Sequence, residues 1–156
     1  MSDVLGASIE LSANPNQHRL PGHAFNEHEY SVVHQEIQTL IQKGVIMKVK
    51  YSPGQILSGI FLLPKKDGTF RLILNLKRFN EFVTHHHFKM DSLQTIIKLV
   101  TPICFMASID MKDAYYPIPV KSEDGKYLRF KWEDQFYEFT CLPNGLSCAP
   151  ARSPKF

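Results

Sequence analysis

The sequence has little of what would place it in a specialised class of protein. Its three cysteines, Cys104, Cys141 and Cys148, are odd in number and widely spaced, which argues against a disulfide scaffold and fits a reducing compartment. No stretch approaches the roughly 18 consecutive apolar residues of a membrane span. The N-terminus lacks the basic region and apolar run of a secretory signal. We therefore expect an intracellular protein of the cytoplasm or nucleus, with no membrane partner.

What is present is the composition of an ordinary globular protein. Apolar residues make up 44% of the 156 positions and charged residues 21%, close to the averages for folded domains. This composition excludes a wholly disordered chain and a fibrous repeat. At roughly 100–200 residues per domain, the length corresponds to one domain or to a piece of one.

The charge is unevenly distributed along the chain. Residues 1–42 contain one arginine and five acidic residues, whereas residues 43–89 contain nine lysines or arginines and only two acidic residues. Residues 90–156 are balanced, and the whole chain carries a formal net charge of +3. A basic block inside a folded region indicates an anionic partner, with phosphates as the first candidate. The alternative is a lysine-rich face that simply meets solvent.

The spacing of apolar residues predicts a polar arm followed by a helix. Residues 1–25 are polar, show little periodicity and are interpreted as a flexible arm. From Asn26, a suitable N-cap, apolar residues fall at helical spacing on one face, and Lys43–Gly44 forms the expected helix end. A second helix is predicted after Asp91, with Pro102 ending it.

The remaining apolar runs predict strands. Five of them are β-like: Val45–Val49, Ile60–Leu63, Phe70–Leu74, Tyr127–Trp132 and Phe136–Thr140. The second and third flank an Asp-Gly turn, and the last two form another hairpin. A further run, Ile103–Ile109, is mostly apolar and is predicted to be a buried central strand. Helices and strands mix without a regular βαβ rhythm, so the predicted fold class is α+β.

Two carboxylates follow the predicted buried strand. Asp110 ends that strand, and Asp113 follows in an Asp-x-x-Asp pattern. An acid at the end of a buried strand is costly unless it is paired or binds a metal, and Mg²⁺ prefers carboxylates. The residues alone equally allow a turn cap at Asp110 with a solvated Asp113. A two-carboxylate hydrolase is a third reading, but it needs an opposing acid that the sequence does not place.

The first hairpin carries a cluster of basic residues. Lys65 and Lys66 precede the Asp67–Gly68 turn, and Arg71 begins the returning strand. This arrangement can present both residue types to a polyphosphate, because arginine offers a fork of donors and lysine a point charge. The same residues can equally protect an exposed edge strand from pairing with another chain.

Several short motifs occur together in a fixed order. They are Leu63–Arg71, Asn75–Asn80, Phe88–Met90, Ile109–Tyr115, Ile118–Val120, Tyr127–Phe130, Tyr137–Phe139 and Leu142–Pro150. In this order and at these spacings they resemble the reverse transcriptases of retroelements, most of all those of DIRS-like retrotransposons, with the gypsy-like group next. The resemblance covers residues 26–150.

The resemblance implies a right-hand polymerase fold. Residues 26–156 would form the reverse transcriptase domain, consisting of the fingers and the first part of a truncated palm. The implied activity is template-directed addition of dNTPs to a DNA primer on an RNA template, by phosphoryl transfer at two Mg²⁺ ions. Asp110 matches the first catalytic, metal-binding aspartate, and the backbone at Met111 would help to hold the metal.

The resemblance also implies a set of nucleotide-binding residues: Lys65, Arg71, Asp113, Ala114, Tyr115, Asn144 and Gly145. The first two match the fingers residues that clamp the phosphates, and the next three match the segment that cradles the triphosphate. Tyr115 would be the aromatic gate that excludes a 2′-OH. Asn144 and Gly145 match a loop on the nucleotide side of the site.

The same resemblance points to missing parts. The family's other two catalytic carboxylates lie in a downstream Tyr/Phe-x-Asp-Asp hairpin, and the sequence contains no Asp-Asp pair. The thumb and the RNase H domain have no counterpart either. We therefore expect this chain alone to be an inactive polymerase fragment. The alternative is a non-catalytic nucleic-acid-binding domain derived from a retroelement.

Overall fold

The computed structural model describes residues 6–17, 19–87, 92–107 and 113–152. Two of the predicted site residues, Asp110 and Met111, lie outside these ranges. Asp91, expected before the second helix, lies outside them as well. Every other predicted site residue falls within the described part of the chain.

The first helix, α1, spans Glu27–Gln42 and confirms the prediction from apolar spacing. Its N-terminus is fixed by a capping box, in which the Asn26 side chain accepts from the Glu29 N–H at 2.8 Å and the Glu29 carboxylate accepts from the Asn26 N–H at 3.1 Å. The helix ends at Lys43, and Gly44 takes a positive φ of 71° that turns the chain away from the helix axis.

The strands form two antiparallel sheets. The larger has the order β1–β5–β4, with β1 at Ile46–Val49, β4 at Arg129–Trp132 and β5 at Gln135–Phe139. The smaller is a hairpin of β2 (Gly59–Pro64) and β3 (Phe70–Asn75). All five strands coincide with predicted β-like runs to within two residues, and both predicted hairpins are present.

Short helical elements complete the fold. Helix α2 spans Leu93–Leu99, and α3 spans Ala149–Arg152. The N-cap of α2 is Ser92, one residue after Asp91, which the sequence favoured. Two 3₁₀ turns lie at Phe79–Phe82 and Gly125–Tyr127. No helix among the described residues is long and apolar enough to cross a lipid bilayer.

One apolar core joins α1 to both sheets. Its most completely enclosed residues include Val33 and Ile37 from α1, Leu128 and Phe130 at the start of β4, and Leu142 beyond β5. Helix α1 packs on β1 of the larger sheet and on β3 of the hairpin. The mixture of helices and antiparallel sheets confirms the predicted α+β class.

The prediction of a buried strand at Ile103–Ile109 is wrong for its described part. Residues 101–107 form no strand, and the Ile103 and Phe105 side chains are fully exposed, at 98% and 103%. A strand is stabilised by a neighbour that pairs with its backbone, and no strand of the described ranges lies beside this segment. Apolar composition alone could not indicate that absence.

The N-terminal segment follows a defined path over the body. The Ala7 N–H donates to the Pro119 carbonyl at 2.7 Å, and the Ala7 carbonyl accepts from the Lys121 N–H at 3.1 Å. Ile9 is buried in the core, and the Phe25 ring meets Trp132 edge-on at 5.9 Å. These contacts show where the segment lies, while its flexibility in solution stays a prediction.

Candidate functional site

The β2–β3 hairpin has an inner and an outer face. Leu72 is buried on the inner face, whereas the next cross-strand pair, Leu63 and Arg71, points outward because side chains alternate along a strand. The register continues into the turn, where the Lys65 N–H donates to the Thr69 carbonyl at 2.7 Å. Lys65 and Arg71 are therefore diagonal neighbours on the outer face, a separation that long side chains can span.

The turn itself is held by its aspartate. The Asp67 carboxylate accepts from the Thr69 hydroxyl at 2.6 Å and from the Thr69 N–H at 2.9 Å. The hydrogen bond from the Thr69 hydroxyl is the main reason that the pKa of Asp67 is lowered, with the Lys65 charge contributing in the same direction. Gly68 takes a φ of 81°, which favours glycine. The sequence thus fixes the place from which Lys65 projects.

Asp113 lies between two cations that come from different elements. Its carboxylate is 3.6 Å from the Lys43 ammonium at the end of α1 and 3.9 Å from the Arg71 guanidinium on β3. The Asp113 side chain is 22% exposed, while Lys43 and Arg71 are 49% and 38% exposed. Asp113 is therefore an ion-paired carboxylate, and the reading of a solvated Asp113 is wrong.

The segment after Asp113 is a tight turn packed on the core. Asp113 has a φ of 55°, and its carbonyl accepts from the Tyr116 N–H at 2.9 Å. Ala114, Tyr115 and Tyr116 are half-buried, and both tyrosine rings pack against the core. Burial, with a smaller contribution from the Asp113 charge, raises the pKa of Tyr116 to about 12. The phenol therefore stays neutral over the physiological range.

A second loop is fastened to the 3₁₀ turn at Phe79–Phe82 by one amide side chain. Asn80 donates to the Gly145 carbonyl at 2.8 Å and accepts from the Ser147 N–H at 2.9 Å. Gly145 has a φ of 94°, and its Cα faces the Leu74 carbonyl of β3 closely enough that a Cβ would lie 3.8 Å away. Asn144, next in this loop, is half-buried. The loop of Asn144 and Gly145 thus lies against the strand that carries Arg71.

Main-chain hydrogen bonds connect the two loops. The Leu142 N–H donates to the Ile118 carbonyl and the Val120 N–H to the Thr140 carbonyl, both at 3.0 Å. The segment after Asp113 and the segment before Asn144 therefore run side by side. The structure brings Arg71 and Asp113 into contact, places Tyr115 and Gly145 in the adjoining loops, and leaves Lys65 at the exposed tip of the hairpin.

The described residues do not provide a metal site. They contain no group of three or more His, Cys, Asp or Glu side chains that could hold an ion. Asp113 does not fit as a ligand, because among the described residues its carboxylate is already paired with two cations. The expected metal-binding residues, Asp110 and Met111, lie outside the described ranges.

Two residues of this site were not singled out by the sequence. Lys43 was predicted only as a helix end, because nothing in a linear pattern places it against a residue 70 positions away. Asn80 belongs to one of the ordered motifs, yet its type gives no sign that its amide bridges Gly145 and Ser147.

A protein-family model described as "Reverse transcriptase (RNA-dependent DNA polymerase)" matches residues 63–156. Among curated proteins, the Transposon Tf2-3 and Tf2-4 polyproteins of Schizosaccharomyces pombe are each 23% identical to the chain over 155 residues. The match covers 98% of this chain but only 11% of each polyprotein. The chain thus spans about a tenth of the length of the curated relatives it matches.

Solved structures of a viral protein share the fold. The native Prototype Foamy Virus Protease-Reverse Transcriptase matches 94% of this chain with a TM-score of 0.74 and 18% identity. The foamy viral enzyme in complex with RNA/DNA hybrid matches 91% with a TM-score of 0.69 and 20% identity. This chain covers 19% and 18% of those two chains. The likeness establishes a common fold and confirms the predicted polymerase architecture.

Proposed function

Because the chain belongs to the reverse transcriptase family, we propose that it carries the nucleotide-binding side of an RNA-dependent DNA polymerase. The proposal rests above all on one observation: Arg71, from the basic hairpin, contacts Asp113 at the start of the turn that leads to Tyr115. Two segments that the resemblance assigns to the incoming nucleotide, distant in sequence, are thereby adjacent.

The charge around Arg71 suits a triphosphate. Lys65 and Arg71 lie on the same outer face of the hairpin, and both project from backbone that is held by the β2–β3 ladder. Arginine can bind phosphate oxygens with two parallel N–H groups, and lysine adds a positive charge without a fixed geometry. The hairpin would therefore clamp the phosphates of a dNTP.

The turn after Asp113 would supply the other side of the site. Within the described ranges, the N–H groups of Ala114 and Tyr115 donate to no backbone acceptor, whereas the Tyr116 N–H is used within the turn. Backbone N–H groups are good donors to phosphate oxygens. The half-buried Tyr115 ring, held against the core, would lie beside the sugar, and Asn144 and Gly145 would border the nucleotide from the adjoining loop.

In this proposal, Asp110 is the one side chain that would bind a divalent metal. Mg²⁺ would supply charge neutralisation for the phosphates, and the family resemblance assigns its first carboxylate ligand to Asp110, with the backbone of Met111 beside it. No described residue is offered as a ligand, since Asp113 is already paired with two cations. The roles proposed for Lys65, Arg71 and Tyr115 do not depend on how the metal is held.

Nucleotide binding by the full chain tests the proposal. Calorimetric titration with a dNTP in low salt should give saturable binding that Arg71→Gln weakens about tenfold or more, since hydrogen bonds to charged groups contribute about 1.5–3 kcal/mol. The matched control is Lys48→Gln, which removes the same charge from an exposed residue of β1 and should leave the affinity unchanged. If both variants lose the same affinity for the dNTP, the effect comes from the net charge of the chain rather than from Arg71, and the proposal is contradicted.

A second candidate function is nucleic-acid binding without catalysis. The basic stretch of residues 43–89 favours it, and one solved neighbour is described as the foamy viral protease-reverse transcriptase in complex with dsDNA. Binding through phosphate contacts weakens steeply as salt rises. Titration with an RNA/DNA hybrid at several salt concentrations should show this dependence, and an absence of affinity at low salt would eliminate this function.

A further inference from the structure

The Asp113 carboxylate lies where it competes with any phosphate that approaches Arg71. The Arg71 guanidinium is 3.9 Å from this carboxylate, and the contact is an ion pair without a hydrogen bond. A phosphate arriving at Arg71 would therefore meet a negative charge beside the cation that attracts it. Some other group must offset that charge if the site is to hold a polyanion.

We propose that Lys43 is the positioning residue that does this: it holds and neutralises the Asp113 carboxylate, so that Arg71 is free to bind phosphate. This inference rests on the proposed function, and it gives Lys43, the C-cap of α1, the role of balancing the negative charge within that same site. The Lys43 ammonium is 3.6 Å from Asp113 Oδ2, whereas Arg71 approaches Oδ1, so the two cations take different oxygens of one carboxylate. When Arg71 turns from Asp113 to a phosphate, the Asp113 carboxylate therefore keeps Lys43 as its ion-pair partner.

The place from which Lys43 projects is fixed by the backbone. Its N–H donates to the Thr39 carbonyl at 3.0 Å as the helix cap, and Gly44 with its positive φ directs the chain into β1. Helix α1 itself packs on β3, the strand that carries Arg71. The C-terminal end of a helix also favours a cation, because the unpaired carbonyls there carry partial negative charge. The backbone of Lys43 is thus held in a defined place on the helix that packs against the strand of Arg71.

The charges around Asp113 predict how the effect of losing Lys43 depends on the Asp113 carboxylate. Among the described residues, Lys43 and Arg71 are the cations that pair with Asp113, and Glu36, further back on α1, adds a negative charge near Tyr116. Removing Lys43 leaves one cation facing one carboxylate, which weakens attraction for a polyanion. Removing Asp113 as well eliminates the charge that Lys43 offsets. Loss of Lys43 should therefore matter much less once Asp113 is neutral.

A double-mutant cycle on the full chain measures this coupling, with a dNTP and inorganic triphosphate as separate probes. Lys43→Gln should weaken binding of both probes about two- to fivefold, the size expected for a partly exposed ion pair. In the Asp113→Asn background, Lys43→Gln should change the affinity by less than twofold relative to Asp113→Asn alone. Lys43→Arg should keep the original affinity, and Lys48→Gln again serves as the charge-matched control.

The outcomes separate the two claims. If the original chain binds neither probe, the proposed function fails and the inference fails with it. If the original chain binds and Lys43→Gln binds equally well, only the role of Lys43 is overturned. If Lys43→Gln weakens binding by the same factor with and without Asp113, the lysine contributes a general charge and the inference is wrong. Urea unfolding midpoints of each variant identify any loss that comes from a destabilised fold.

Discussion

At the scale of single residues, Asn80 links the loop that contains Asn144 and Gly145 to the 3₁₀ turn at Phe79–Phe82. Its amide donates to the Gly145 carbonyl and accepts from the Ser147 N–H. The loop then rests on β3 through the Gly145 backbone. The position of Asn144 and Gly145 against β3 therefore depends on a side chain outside the loop.

Replacement of Asn80 tests this dependence. Asn80→Ala should lower the free energy of unfolding by about 1–3 kcal/mol, because it removes two hydrogen bonds to the loop that contribute about 0.5–1.5 kcal/mol each. Urea denaturation monitored by circular dichroism measures the change. Asn75→Ala is the matched control, since that exposed asparagine makes one long hydrogen bond of 3.3 Å to the Lys77 N–H. Equal stability of the two variants would show that the bridge does not hold the loop.

The sequence could identify part of this site and not the rest. Arg71 and Asp113 belong to ordered motifs, and the structure finds them in contact. Lys43 could not be foreseen as their partner, because an ion pair between the end of a helix and a distant turn depends on how α1 packs on β3. Local patterns report what the nearby backbone does, whereas this contact is made by tertiary packing.

At the scale of elements, the sequence predicts a helix or a hairpin correctly where the residues that begin, end or turn it lie within the element itself. Helix α1 has a capping box at one end and Gly44 at the other, and the β2–β3 hairpin has an Asp-Gly turn. Residues 103–107 have no such signals. Their apolar composition suits a buried strand, but a strand also needs a partner, and the described ranges contain none beside it.

A buried ion pair joins β4 to β5 and to the loop before β2. The Arg129 guanidinium contacts the Glu138 carboxylate through Nε at 2.7 Å and Nη2 at 2.6 Å, and its Nη1 donates to Ser52 and Gln55, both at 2.9 Å. Both side chains are almost enclosed, at 9% and 12% exposure. Arg129 thus connects the larger sheet to the loop from which the basic hairpin begins.

Breaking this pair should destabilise the fold strongly. Glu138→Gln is expected to lower the free energy of unfolding by about 3 kcal/mol, because it leaves the buried Arg129 charge uncompensated. The control is Asp134→Asn, which removes the exposed partner of Lys131 and should change stability by less than about 1 kcal/mol. Thermal melts of both variants provide the comparison. A Glu138→Gln variant as stable as the control would contradict the stabilising role of the Arg129–Glu138 pair.

At the scale of the whole molecule, the cysteines report whether the core is closed. Cys104 is exposed, while Cys141 and Cys148 are buried. Burial raises the pKa of the Cys141 thiol to about 11, with a smaller opposing effect of Thr140. Since the thiolate is the reactive form, Cys141 is both shielded and neutral at pH 8.

Thiol labelling should therefore proceed in two phases. With a disulfide reagent at pH 8, one equivalent corresponding to Cys104 should react rapidly in the native chain, and the other two only after unfolding in urea. A Cys104→Ser variant should lose the rapid phase and keep the slow one. Three thiols that react at one rate in the native chain would contradict the closed core described here.

At this scale we propose that the basic hairpin, the turn after Asp113 and the loop at Gly145 together form one nucleotide site. Photolabelling of the full chain with an azido-dNTP, followed by peptide mapping, tests this claim most directly. We predict adducts in the peptides that contain Lys65 to Arg71, Asp113 to Tyr116, or Asn144 and Gly145, and their loss in excess unlabelled dNTP. Adducts confined to other peptides, or labelling that unlabelled nucleotide does not reduce, would contradict the account.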